Sequence, residues 1–170
     1  FFDKNNPRLL FTSPVSGVVS AINRGEKRKL LNIAVEPDQD QVAKSFKVVD
    51  AAKAERSEIV EMLLETGLWT RIVERPFGVI ANPDATPKAI FVSAFDSAPL
   101  APDYNFILKE EKAAIEAGMA LLGRLTDGKV HLSARKGNEG FMAEVKGVEY
   151  HTFEGKHPAG NVGVQIHHID

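Results

Sequence analysis

Apolar and polar positions follow two rhythms along this chain. In residues 9–36, short β-prone runs alternate with turn residues, as LLFTSP, GVVSAIN, RGEKRK and LLNIAVEPD. Val18, Val19 and Ile22, with Leu31, Ile33 and Val35, supply one apolar face of a hairpin whose turn holds Gly25. Residues 37–55 are polar with isolated apolar positions and read as a connector. The second rhythm then begins. Ser57 offers an N-cap oxygen, Glu58 and Glu61 suit the positive end of a helix, and Ile59, Val60, Leu63 and Leu64 form its apolar stripe, which Gly67 stops.

After a loop comes KAIFVSAF, residues 88–95, an apolar run that suits a strand covered on both faces. Residues 105–126 carry the longest helical pattern, with Ile107, Ala114, Ile115, Gly118, Leu121, Leu122 and Leu125 near one side; Gly118 in its interior marks close packing against a sheet. Gly128 ends this helix and KVHLSAR follows as a strand. A strand is expected at 148–153, and VQIHHI at 164–169 reads as the start of another. Helix, strand, helix, strand in this order predicts an α/β layer with parallel pairing, the long helix crossing over one face in the right-handed sense. The predicted organisation is a β module over 1–37, a connector over 38–56 and an α/β domain over 57–170 that is incomplete at its C-terminal end. Because the chain opens on Phe1 and closes on strand-like alternation, it is expected to be an internal piece of a longer protein.

Composition narrows the function classes. A formal net charge of -2 over 170 residues gives no basic surface for nucleic acid, and the densest basic stretch, RGEKRK, reads as a solvated hairpin tip. With no cysteine, thiol catalysis, disulfides and cysteine-held clusters are excluded. No apolar run approaches the roughly 20 residues that span a bilayer.

Candidate chemistry is sparse. The histidines, among them His151, His157, His167 and His168, show no compact ligand spacing, so no metal is expected; on a strand His167 and His168 face opposite sides. The serines lack a nucleophile elbow, and no phosphate-binding glycine motif occurs. Asp96 and Asp103 follow a strand, where α/β sheets bind ligands, but turn and cap roles suit them better than acid and base roles. No catalytic residue is assigned.

Two loops stand out. GLWTRIVERPF brings Trp69, Arg71, Arg75, Pro76 and Phe77 into one connection. Flat rings beside guanidinium donors can hold a planar carbonyl-bearing ring such as a quinone; the same residues can equally anchor the loop to the domain or to a partner subunit. In HPAG, Pro158 fixes the backbone beside His157 while Gly160 permits a turn closed to other residues, which fits a ligand or subunit contact as well as an ordinary rigid turn.

The segments DKNNPRLLFTSPVSGVVSAINRGEKR, GLWTRIVERPF, AIFVSAFDSAPLAPD and HPAG, taken together and in order, resemble the A subunits of bacterial sodium-translocating NADH:quinone reductases. The match runs along nearly the whole chain. The resemblance implies a partial barrel-sandwich module of the biotinyl/lipoyl kind, without the hairpin lysine that carries a cofactor, followed by a Rossmann-like domain similar to the flavoprotein subunit of respiratory complex I. It implies a soluble peripheral subunit on the cytoplasmic side of the bacterial inner membrane, associated with the membrane through the other subunits of the complex. There, electron transfer from NADH to ubiquinone is coupled to sodium export. GLWTRIVERPF stands where the complex I relative has its glycine-rich flavin loop, so no FMN and no hydride transfer are expected within this chain. Ubiquinone contact carries over to Trp69, Arg75, Pro76 and Phe77, with Arg71 added on chemistry alone. The alternative is a purely structural docking subunit. A third reading, a free-standing flavin or nucleotide enzyme, requires a yellow cofactor or nucleotide binding.

Overall fold

The first rhythm folds as a hairpin, as expected, except that Val18, adjacent to Val19, pairs with Glu36 and falls on the opposite face. In the computed structural model, which describes residues 1–169, β1 (Gly17–Arg24) and β2 (Leu30–Pro37) form an antiparallel hairpin. Val19 and Ile22 are three residues apart and would fall on opposite faces of a regular strand. A bulge between Val19 and Ala21 corrects this: Val19 pairs with Val35 and Ile22 with Ile33, so all four share one face. That face stays open, with Val19, Ile22 and Leu31 all exposed. The basic tip is a solvent-exposed 3-10 turn, Glu26–Arg28. The connector is tied back to the hairpin where Gln41 hydrogen-bonds both backbone groups of Ser16.

Helix α1 (Arg56–Glu65) begins two residues earlier than a helix capped by Ser57 would, so Ser57 lies inside it. Glu55 is the N-cap, and its backbone N–H donates to Glu58 at 3.2 Å. Gly67 stops the helix in a left-handed conformation, φ +76°. Ile59, Val60 and Leu64 pack with Leu9, Ala54, Trp69 and Leu125 into one core. Leu9 thus roots the N-terminal segment on α1, where Arg8 also pairs with Glu61, while its other guanidinium nitrogen pairs with Asp84 outside the helix.

A short hairpin of β3 (Val73–Glu74) and β4 (Val79–Ile80) follows. The second core lies under a parallel sheet ordered β5 (Ile90–Ala94), β6 (Val130–Arg135), β7 (Glu149–Phe153). Sequence singled out β5 as the strand buried on both faces, yet β5 lies at the sheet's edge and is half-buried throughout. The deeply buried strand is the central one, β6, with Val130, Leu132, Ser133 and Ala134 all buried.

The single long helix predicted over 105–126 is two. Asp103 caps a short α2 (Tyr104–Ile107), and Leu108 and Glu111 leave helical angles before α3 (Lys112–Gly123). The break lets Tyr104 and Leu108 reach the sheet while Ile107 stays exposed. Gly118 is also not a packing glycine, since among the described residues a Cβ there meets nothing within 4 Å beyond its own helix. Gly118→Ala is therefore expected to raise stability by about 0.5–1 kcal/mol through helix propensity; urea unfolding checks this, and a loss of stability would refute it.

The C-terminal strand expected at VQIHHI is a helix, α4 (Val162–Ile169). Val162, Gln165, Ile166 and Ile169 stand at i, i+3, i+4 and i+7, and buried Gln165 hid that period by placing a polar residue in the stripe. His167 and His168 are consequently neighbours on an exposed helix end instead of opposite faces of a strand. Among the described residues no helix is long and apolar enough to cross a membrane.

Candidate functional site

The two loops singled out in sequence meet at one cleft. Its volume is about 530 Å³, and it lies at the C-terminal end of β5, where parallel sheets place their ligand sites. Arg75, Ser93, Asp96, Tyr104 and Gly160 line it together with the first turn of α4.

Each predicted residue has a definite place. Trp69 is not a displayed ring: it is 3% exposed, belongs to the α1 core, and its indole N–H donates to the carbonyl of Ala81 at 2.8 Å. It roots the β3–β4 hairpin from beneath. Ala81 reinforces that root by donating its N–H to Ile72 at 2.9 Å. Arg71 ends the 3-10 turn Leu68–Arg71, exposed and outside the cleft lining. Pro76 follows a cis peptide at the hairpin tip, and Phe77 beyond it is 75% exposed.

Arg75 alone of this group lines the cleft. Its Nη1 lies 3.9 Å from the position a Cβ on Gly163 would take, which puts the guanidinium over the first turn of α4. Arg75 makes no hydrogen bond or ion pair among the described residues. A cation beside the positive end of a helix is electrostatically unfavourable, so this guanidinium gains from any acceptor that enters the cleft.

The HPAG loop forms the opposite wall. Gly160 donates its N–H to Ser97 Oγ at 2.7 Å, and that hydroxyl also lies 3.3 Å from His157 Nδ1. The Gly160 carbonyl accepts from Gln165 Nε2 at 3.3 Å. His157 is exposed and holds the wall through Ser97, while the peptide between it and Pro158 is cis.

The floor is fixed by Arg135, whose guanidinium lies 4.9 Å from the Phe95 ring centroid and donates to the Asp96 carbonyl at 3.3 Å. Asp96 accepts the Ala98 N–H at 2.8 Å. Asp103 accepts from Asn138, Asn105 and Phe106, and the Asn138 amide above all holds its carboxyl below the usual range. Both aspartates act as turn and cap residues, as the sequence suggested. Sequence reasoning missed Ser97, Tyr104 and Gln165. Only Gln165 left a signal, its helical spacing from Val162.

Two family models match the chain: the NqrA N-terminal barrel-sandwich hybrid domain over residues 1–38 and the NqrA second alpha/beta domain over residues 54–170. Among curated relatives, the chain is 45% identical over 175 residues to the A subunit of the Na(+)-translocating NADH-quinone reductase of Serratia proteamaculans. It is 40% identical over 172 residues to that of Saccharophagus degradans and 41% over 172 residues to that of Neisseria gonorrhoeae. All of the chain is covered in each case, but only 39%, 38% and 38% of the three relatives, so the chain spans about two-fifths of their length.

Proposed function

The chain belongs to the NqrA family, and from that premise we propose that it is a peripheral part of a sodium-pumping NADH:ubiquinone oxidoreductase. Its work is assembly with the other subunits and contact with the quinone, in an electron transfer coupled to sodium export. Membrane association at the cytoplasmic side of the inner membrane is assigned to the partner subunits.

The observation that carries the quinone reading is Arg75, an unpaired guanidinium in a cleft at the end of a parallel strand, two residues from the exposed ring of Phe77. A quinone ring offers a flat apolar face and carbonyl acceptors, which Phe77 and Arg75 respectively complement. Pro76 sets the tip between them, and Trp69 supports the hairpin from below. Arg71 has no part in the cleft.

A Rossmann-like kinship with the complex I flavoprotein subunit fits the parallel layer. The segment after α1 nonetheless speaks against FMN, because the Trp69 side chain fills the core where a glycine-rich loop would leave room. The redox chemistry is accordingly assigned to other subunits. The exposed Phe77 and Val79 also suit the alternative, a docking hairpin with no ligand.

Titration with a short-tailed ubiquinone, followed by Trp69 fluorescence with free tryptophan as the inner-filter control, separates the two. Saturable quenching is expected, with the affinity lowered about tenfold, ~1.4 kcal/mol, by either Arg75→Ala or Phe77→Ala. Quenching that does not exceed the control would leave docking as the function of the hairpin.

A further inference from the structure

The geometry points to a second site, independent of the cleft: a two-histidine position for a first-row divalent transition ion, formed by His131 and His151. Sequence spacing hid the pair, since the two lie on different strands. Parallel pairing of β6 with β7 sets His131 opposite Glu149 and Ser133 opposite His151, so both imidazoles project on one face as diagonal neighbours.

Nδ1 of His131 is 2.9 Å from Nε2 of His151. The ring centroids are 5.1 Å apart at an interplanar angle of 26°. The nitrogen separation accounts for more than half of that distance, so the rings meet edge to edge, with two lone-pair positions facing each other across one proton. A borderline metal ion can take that proton's place, each ring then keeping its proton on the outer nitrogen, Nε2 of His131 and Nδ1 of His151. Two Zn–N bonds of about 2.0–2.1 Å at a tetrahedral angle separate the nitrogens by about 3.3 Å, a few tenths of an ångström beyond the present spacing.

The surroundings favour that exchange. Both ligands stand on paired strands, and the Phe91 ring stacks on His131 at 4.6 Å and 10°, which holds the imidazole plane. Glu149, two residues before His151 on the same face, accepts Lys129 Nζ through Oε1 at 2.6 Å. Among the described residues no three such side chains already converge. The site therefore supplies two ligands and leaves its remaining positions to water or to a reoriented Glu149. Nitrogen donors select zinc, copper or nickel over magnesium or calcium.

The test is calorimetric titration of the untagged chain with Zn(II) at pH 7.5, with Cu(II) electron paramagnetic resonance on the same samples. One-to-one binding is expected at pH 7.5, weakened at least about tenfold by His131→Gln or His151→Gln and unchanged by His167→Gln. The copper spectrum is expected to show nitrogen coupling that either variant removes. Far-UV circular dichroism of the variants separates loss of a ligand from loss of the fold, and any variant that unfolds is replaced by the asparagine variant at the same position. Absence of saturable binding to the wild-type chain, binding indifferent to both variants, or binding that depends on His167 would overturn the assignment.

Discussion

Trp69→Ala is expected to lower the unfolding free energy by about 3–5 kcal/mol, the range for removing a buried large aromatic. Trp69 is 3% exposed in a core with Ile59, Val60, Leu64 and Leu125. Alanine there leaves a cavity between α1 and the β3–β4 hairpin. It also removes the donor to the Ala81 carbonyl, the bond that ties the second strand of that hairpin to the turn after Gly67. Trp69→Phe isolates the polar part: it keeps most of the apolar volume, loses the 2.8 Å bond, and is expected to cost about 1–2 kcal/mol. Urea unfolding followed by far-UV circular dichroism is the suitable measurement, because the variant has no tryptophan to report fluorescence. A cost below about 1 kcal/mol for the alanine variant would mean that Trp69 is a displayed ring after all, and the hairpin would lose its root. Set against a total stability of about 5–15 kcal/mol for an ordinary domain, the expected loss is large enough to be read without ambiguity.

Trp69 also shows what local pattern can and cannot reveal. The hairpin of β1 and β2, the stop at Gly67 and the strands around residues 90 and 130 are written in short-range periodicity and turn chemistry, and the fold follows them. Trp69 sits two residues past a helix stop, in a stretch that reads as a surface connection, and nothing nearby in sequence says that the chain folds back beneath α1. The same limit applies to α4. Its buried stripe includes Gln165, whose amide bonds to Gly160, so the apolar period is interrupted by the residue that packs deepest. Motif content picked out Arg75 and Gly160 separately, but only the sheet, by setting the end of β5 between them, makes them opposite walls of one cleft. His131 and His151 are a stricter case still, because their meeting depends on the register of a parallel pair and no local signal specifies that register.

Gly160→Ala is expected to cost about 1–3 kcal/mol of stability and to abolish the quinone response, for a reason unrelated to backbone dihedral freedom. A Cβ at this position would lie 2.8 Å from Asp96 Cα and closer still to the Ser97 backbone nitrogen. Those are main-chain atoms at the end of β5 and cannot rotate away as a side-chain tip can. Relief requires the HPAG wall to move off the strand, which stretches the 2.7 Å bond from Gly160 N–H to Ser97 Oγ and the bond from Gln165 to the Gly160 carbonyl. Because α4 begins immediately after this turn, its first turn moves with the wall, away from Arg75. Gly163→Ala is the matched control. Among the described residues beyond its own helix, its Cβ meets only Arg75 Nη1, at 3.9 Å, so stability is retained while the new methyl enters the cleft beside the guanidinium and weakens the quinone alone. Unfolding curves and quinone titrations of both variants together decide the matter. If Gly160→Ala proves as stable as the parent, the close approach to Asp96 and Ser97 is not a constraint on the fold. If Gly163→Ala leaves the titration unchanged, the quinone does not reach the space between Arg75 and α4, and the contact is confined to Phe77 at the rim.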